Sequence, residues 1–299
     1  MSTAFRSGFA CFVGRPNAGK STLTNALVGS KVAIMSDRPQ TTRHAVRGIV
    51  HRPDAQLVVV DTPGFHKPRT LLGERLNDVV RSTLAEVDII AFCVPANEKV
   101  GPGDRFIATE LRKLDRRTPI IVVVTKTDLV SRDAVGAQLV AVSGLGEWEE
   151  VVPTSASDGF QVGLLADLLV ARLPEGGPLY PDGELTDEPE RVMVAELVRE
   201  AALVGVRDEL PHSIAVVVEE MNARPGREDL VDIEAVMYVE RESQKGIVIG
   251  TGGARLREVG TAARMHIEAL LGSKVYLDLR VKVAKDWQRD PKQLRRLGF

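Results

Sequence analysis

Five short apolar runs, at residues 9–13, 56–60, 89–94, 120–124 and 151–152, alternate with stretches of helical periodicity at 20–28, 70–85, 104–114, 133–142 and 161–172. Near-continuous apolar strands suit a sheet covered on both faces. Their alternation with helices predicts a doubly wound, mostly parallel α/β domain. In such a sheet ligands bind at the carboxyl ends of the strands, so the residues that follow each run are where chemistry is expected.

The first run leads into Gly14-Arg15-Pro16-Asn17-Ala18-Gly19-Lys20-Ser21, which fits G-x-x-x-x-G-K-[ST] with a strand before it and a helical pattern after it. Glycines let the backbone curl so that its N–H groups converge on phosphates at a helix N-terminus, where the helix dipole also favours anions. Lys20 is then expected at the β/γ oxygens of a nucleotide and Ser21 as a ligand of Mg²⁺. The second run ends in Asp61-Thr62-Pro63-Gly64, a carboxylate suited to the magnesium site and a glycine whose N–H can meet the γ-phosphate. The fourth run ends in Thr125-Lys126-Thr127-Asp128. Its Asp can accept from guanine's ring N–H and exocyclic amine, a donor pair that adenine lacks. The stem of Lys126 can lie over the base, and Ser155-Ala156, after the fifth run, offers backbone donors to the guanine carbonyl.

In this order the motifs resemble the translation-factor-related family of small GTPases across roughly residues 8–172. The resemblance implies a first switch within residues 31–44, where Thr42 is the preferred magnesium and γ-phosphate ligand and Thr41 the alternative. It makes Lys20, Thr42 and Gly64 the expected catalytic contributors and Ser21, Thr42 and Asp61 the metal set. The chain departs from the family at Thr125, where Asn is usual, and at Phe65, where a Ras-like enzyme presents a water-orienting Gln nearby. A phenyl ring cannot orient water, so slow intrinsic hydrolysis is expected, with an ion or partner completing the site. Asn17 resembles the residue that helps bind K⁺ in potassium-stimulated members; equally, it serves hydrogen bonds within the loop.

At 299 residues, 44% of them hydrophobic, the chain is long enough for two domains. The stretch 174–189, rich in Pro, Gly and acidic residues, reads as a linker between a domain at 1–173 and an α+β unit at 190–299. That unit reads as a helix at 190–204, strands at 212–222 and 232–241 around a turn at 223–229, two helices about a glycine turn, and a strand at 274–284. Its charge is uneven: residues 181–240 carry 5 Lys/Arg against 16 Asp/Glu, and residues 241–299 carry 13 against 6. The last segment is therefore the candidate polyanion-binding face.

Gly250-Thr251-Gly252-Gly253, preceded by Val248-Ile249, has the I-G-x-x-G signature of a KH module, in which a tight turn between two helices admits the backbone of single-stranded RNA. The middle pair lacks the usual basic residues, so Lys245, Arg255 and Arg257 are expected to attract phosphate. Trp287, beside Lys285, Arg289, Lys292, Arg295 and Arg296, either stacks on a base or anchors the tail, the second being preferred.

A GTPase domain joined to a KH unit resembles the bacterial GTPases of small-ribosomal-subunit maturation. That implies GTP and GDP, the 3′ end of 16S ribosomal RNA and the small ribosomal subunit as partners of a monomer. Cys11 and Cys93 lie inside apolar runs and read as buried, inert thiols of a reducing cytoplasm. The N-terminus reads as neither signal peptide nor membrane span, which leaves peripheral contact with the inner face of the membrane open. The second unit offers no set of residues for a second catalytic reaction, and the complete phosphate loop argues against a mere RNA-binding scaffold.

Overall fold

The computed structural model describes residues 4–38, 40–68, 70–114, 118–206 and 210–299. Pro39, inside the segment 31–44, and the first three residues of the N-terminus lie outside them. The chain divides into two compact units whose main spans meet between Asp187 and Glu188.

The first unit contains β1 (Arg6–Gly14), α1 (Lys20–Val28), β2 (Val46–Arg52), β3 (Ala55–Asp61), α2 (Leu71–Glu86), β4 (Ile89–Pro95), α3 (Pro102–Leu111), β5 (Ile120–Thr125), α4 (Arg132–Ser143), β6 (Glu150–Pro153) and α5 (Val162–Val170). The sheet order is β2-β3-β1-β4-β5-β6. Only β2 runs antiparallel to its neighbour. Alternate residues of β1 feed opposite cores: Ala10 and Phe12 meet Leu23 of α1 and Leu165 of α5, whereas Cys11 and Val13 share a cluster with Val80 of α2 and Ile107 of α3. Both cysteines are free and fully buried, and burial pushes their thiols up, Cys93 to about 12. Because β1 pairs with β3 on one side and β4 on the other, connections leave it in both directions. The crevice at such a reversal opens at the carboxyl end of the strand, here at Gly14.

The sequence pattern predicts no strand at 46–52, because Arg47, His51 and Arg52 interrupt its apolar character. β2 nonetheless forms as an antiparallel edge, where burying Ile49 and Val50 suffices. Residues 174–187 bind along the first unit. Ser7 Oγ donates to Gly177 O at 2.7 Å, Ile49 N–H to Leu185 O at 2.9 Å and His51 Nε2 to Glu184 O at 2.7 Å. The buried Gln56 side chain is satisfied by the same belt, accepting from Leu179 N and Tyr180 N and donating to Tyr180 O. The belt thus covers an edge that would otherwise present unpaired backbone groups.

The second unit contains α6 (Glu190–Leu203), α7 (Leu210–Ser213), β7 (Ala215–Arg224), β8 (Arg227–Val239), α8 (Glu242–Ile249), α9 (Ala254–Leu271), β9 (Lys274–Val283) and α10 (Pro291–Arg296). In its sheet, ordered β7-β8-β9, the first pair is antiparallel and the second parallel. The turn expected at 223–229 contracts to Pro225 and Gly226, because Arg224 already pairs with Arg227. Val194 and Val198 of α6 and Val259, Ala263 and Ile267 of α9 are the buried apolar stripes by which the helices pack together. Trp287 is fully buried, donates Nε1–H to Ser213 O at 3.0 Å and stacks on Phe299. It therefore anchors the tail, which removes the base-stacking alternative.

Candidate functional site

The phosphate loop joins β1 to α1 through two left-handed residues, Asn17 (φ 61) and Gly19 (φ 84). Lys20, the first residue of α1, is buried and bends back over the loop, its Nζ 3.2 Å from Arg15 O and 3.5 Å from Gly14 O. Burial lowers the pKa of this ammonium and raises that of the fully buried Asp61 carboxyl; each charge opposes the other's shift.

Three oxygen-bearing side chains from separate elements converge beside it. Ser21 Oγ donates to Asp61 Oδ2 at 2.6 Å, Thr42 Oγ1 donates to the same atom at 3.1 Å, and the two hydroxyls are 2.9 Å apart. Thr42, rather than Thr41, completes this triangle. Asp61 Oδ1 is buried with no hydrogen-bond partner. A buried carboxylate oxygen left unsatisfied costs on the order of 1–3 kcal/mol or more, and two hydroxyls with a carboxylate are the hard donors that Mg²⁺ takes, so the residues fit that ion.

Asp61-Thr62-Pro63-Gly64 closes onto the loop backbone to backbone. A Cβ on Gly64 would lie 2.7 Å from Pro16 N and 2.8 Å from Pro16 Cα, which leaves glycine as the residue that fits. Phe65 N–H donates to Gly14 O at 3.0 Å. The Phe65 ring itself turns away: it is fully buried and packs on Phe106 at 5.4 Å between centroids. Phe65 therefore belongs to the site through its backbone alone, because an apolar ring gains more from the core than from a phosphate crevice. The Thr62 hydroxyl is likewise internal, donating to Phe12 O at 2.7 Å.

The Arg15 side chain turns out of the loop. Its Nε donates to the fully buried Asp104 Oδ1 at 2.7 Å and its Nη1 to Glu98 Oε2 at 3.0 Å, so the side chain ties the loop to α3 and only its backbone faces the phosphate position. At the base-reading end, Thr125 Oγ1 donates to Ala18 O at 2.7 Å. Lys126 is left-handed (φ 59), its Cε 3.9 Å from the position of a Cβ on Gly19, so its stem lies along the loop. Thr127 N–H meets Thr154 O, Asp128 is exposed, and Ser155 N–H donates to Phe160 O at 3.0 Å. The Ser155 N–H is therefore spent within its own loop. Asn25 clasps the entry to the first switch, accepting from Val32 N and Ala33 N and donating to Ala33 O. Neither this clasp nor the Arg15–Asp104 tie carries a local signal, since any Asn or Asp can be merely solvated.

In the second unit α8 ends at Gly250 (φ 72), a short turn spans Thr251–Gly253, and α9 follows. A Cβ on Gly250 would lie 2.8 Å from Arg255 Cβ, so the turn needs glycine there; Cβ atoms on Gly252 or Gly253 would meet nothing within 4 Å. Thr251, Gly252 and Arg257 are exposed, and Lys245 and Gly253 are half-buried. Arg255 is different. Its Nη2 donates to Ala202 O at 3.2 Å and Val204 O at 2.7 Å, where it satisfies carbonyls at the end of α6 rather than facing a ligand.

A family model described as a 50S ribosome-binding GTPase matches residues 9–126, and one described as a KH domain matches residues 209–288. GTPase Era of Streptomyces coelicolor is 70% identical over 305 residues, covering 99% of this chain and 96% of that protein. The chain belongs to the Era family of GTPases. Era of Mycobacterium sp. (strain KMS) is 67% identical over 296 residues, 99% of each chain. A crystal structure of Era in complex with MgGDPNP and nucleotides 1506–1542 of 16S ribosomal RNA superposes with a TM-score of 0.95 at 38% identity, covering 98% of this chain and 99% of that one. A point variant of Aquifex aeolicus Era bound to GDP.AlF4- gives 0.94 at the same identity and coverage. As an Era-family member the protein hydrolyses GTP, with a mostly parallel GTPase domain followed by a KH domain.

Proposed function

We propose that the chain is a GTP-driven switch that binds the 3′ end of 16S ribosomal RNA and acts on the small ribosomal subunit during its maturation. The observation that carries this is full-length similarity to an Era that holds both MgGDPNP and a 16S fragment, in a chain with both a Ser21–Thr42–Asp61 triangle and an open Gly250–Gly253 turn. The proposed division is a GTPase domain at 1–173, a linker at 174–189 and a KH-type unit at 190–299.

In the nucleotide site, backbone N–H groups of residues 14–21 cradle the phosphates and Lys20 Nζ moves from its loop carbonyls to the β/γ oxygens. Gly64 N–H donates to the γ-phosphate, and Asp128 reads guanine. Ser21, Thr42 and Asp61 hold Mg²⁺, which when bound neutralises charge on the β- and γ-phosphate oxygens. Lys245, Arg257 and the glycine turn face RNA. No helix among the described residues is long and apolar enough to cross a membrane. The proposal includes a cytoplasmic monomer and limits membrane contact to peripheral association.

RNA affinity is expected to differ between the GDP-bound protein and the protein bound to a non-hydrolysable GTP analogue, measured by fluorescence anisotropy with a labelled 16S 3′-end fragment. Equal affinity in the two states would make the protein a constitutive binder and end the switch reading. Asn17, at a left-handed turn of the loop, supports the finer proposal of K⁺ stimulation. Hydrolysis is then expected to run faster in KCl than in NaCl at equal ionic strength, and equal rates would remove the ion.

A further inference from the structure

The first residue of the base-reading tetrad is a threonine with a single hydroxyl hydrogen, and the fold commits that hydrogen. Thr125 ends β5, is 4% exposed, and donates from Oγ1 to Ala18 O at 2.7 Å. A backbone carbonyl only accepts, so the direction of this bond is fixed. The hydroxyl lies beside the phosphate loop, 3.5 Å from the position of a Cβ on Gly19. Toward anything else in the crevice Thr125 can only accept.

Guanine's remaining edge has no use for an acceptor. With its N1–H and exocyclic amine taken by Asp128, guanine has O6 and N7 left to pair, and both atoms are acceptors. O6 can take the Ala156 N–H. An Asn at position 125 would carry two amide hydrogens, one for Ala18 O and one for the base. Threonine keeps the tie between β5 and the loop and omits the second bond.

We propose that Thr125 sets the nucleotide affinity of this GTPase, holding the phosphate loop while offering no donor to the O6/N7 edge of guanine, so that GDP and GTP are both bound more weakly and released faster. The inference rests on the assignment of residues 125–128 as the base-reading tetrad. Because the missing bond is the same for both nucleotides, it changes exchange rate without changing the preference between them.

The decisive measurement needs no variant. The full-length protein is titrated with GDP and with 7-deaza-GDP, in which N7 is replaced by C–H; affinities equal within about twofold are expected, less than one net hydrogen bond contributes. A loss of about tenfold with the deaza nucleotide means that a donor faces N7, and overturns the proposal. Thr125→Asn adds the missing donor and is expected to tighten GDP and a non-hydrolysable GTP analogue alike, by roughly two- to tenfold, the range of one net hydrogen bond. GDP release slows by the same factor, and the variant acquires a preference for GDP over 7-deaza-GDP. A variant folded by its thermal melt that binds GDP no tighter refutes the inference. Failure of the underlying assignment looks different. Asp128→Asn is expected to move preference from GTP to XTP, since an amide donates to the carbonyl that replaces guanine's amine; retention of GTP preference would sink the tetrad itself.

Discussion

Lys20→Ala is expected to lower GTP hydrolysis at saturating nucleotide by roughly two to three orders of magnitude, with little loss of thermal stability. The ammonium sits within 3.5 Å of two loop carbonyls and is buried, with Asp61 as its countercharge. Once Nζ has moved from those carbonyls onto the β/γ oxygens, the charge needs no further reorganisation as the γ-phosphate separates. Removing one preorganised group aimed at developing charge costs about 3–4 kcal/mol of transition-state stabilisation. Alanine leaves the loop's glycines and helix terminus in place, so the nucleotide still finds its backbone donors.

Phe65→Ala is the contrasting variant. Its fully buried ring packs on Phe106, and truncating such a side chain costs about 3–5 kcal/mol of stability through lost burial and the cavity left behind. The expected result is a depressed melting temperature with hydrolysis per folded molecule changed only severalfold. Phosphate-release rates at saturating GTP, set beside thermal melts of both proteins, separate the two effects. Comparable losses of rate in the two variants would show that Phe65 acts in the reaction as well as in the core.

The second large effect is expected at the glycine turn: Thr251→Asp combined with Gly252→Asp raises the dissociation constant for single-stranded RNA by more than about thirtyfold and leaves GTP binding intact. Both positions are exposed and a Cβ at Gly252 meets nothing within 4 Å, so the variant folds; Gly252 is left-handed (φ 58), a conformation that Asp tolerates better than most residues. Each new carboxylate within about 4 Å of a phosphate is repelled by about 1 kcal/mol in water and by about 4 kcal/mol at an effective dielectric of about 20. Anisotropy titrations across a salt series give a second reading. Arg257→Ala flattens the slope of log affinity against log salt by about 0.7, one phosphate contact on a single strand. Arg255→Ala lowers the melting temperature instead, because that guanidinium serves the carbonyls of Ala202 and Val204. Undiminished RNA binding in the folded double-Asp protein would exclude the turn as the RNA site.

What was legible beforehand was local. The phosphate loop, the Asp61–Gly64 turn, the 125–128 tetrad and the 250–253 turn are each a run of four to eight residues bound to a strand end or a helix junction, so their order and flanking patterns along the chain identify them. Four of the five apolar strands were legible for the same reason, since burial on both faces leaves a continuous hydrophobic run, whereas the edge strand β6 showed only as Val151-Val152. β2 was not, because a strand buried on one side and paired at an edge tolerates Arg47, His51 and Arg52.

The partners of individual polar side chains belong to the tertiary structure. Sequence preferred Thr42 to its neighbour Thr41 only by resemblance, and the approach of the loop to Ser21 and Asp61 supplies the physical contact that sets Thr42 in place. Sequence offered Arg255 as a phosphate attractor by charge, but the end of α6, 51 to 53 positions away, takes that guanidinium; for the Arg15 side chain it offered no partner, and the fold supplies Asp104, 89 positions away. Trp287 was divided between base stacking and anchoring the tail, and it went to the core, as did the ring of Phe65. A motif's backbone geometry is written in consecutive residues, whereas the direction of a long side chain is set by whichever unsatisfied carbonyl, carboxylate or apolar surface the fold brings within a few ångströms of it, and that encounter has no counterpart along the chain.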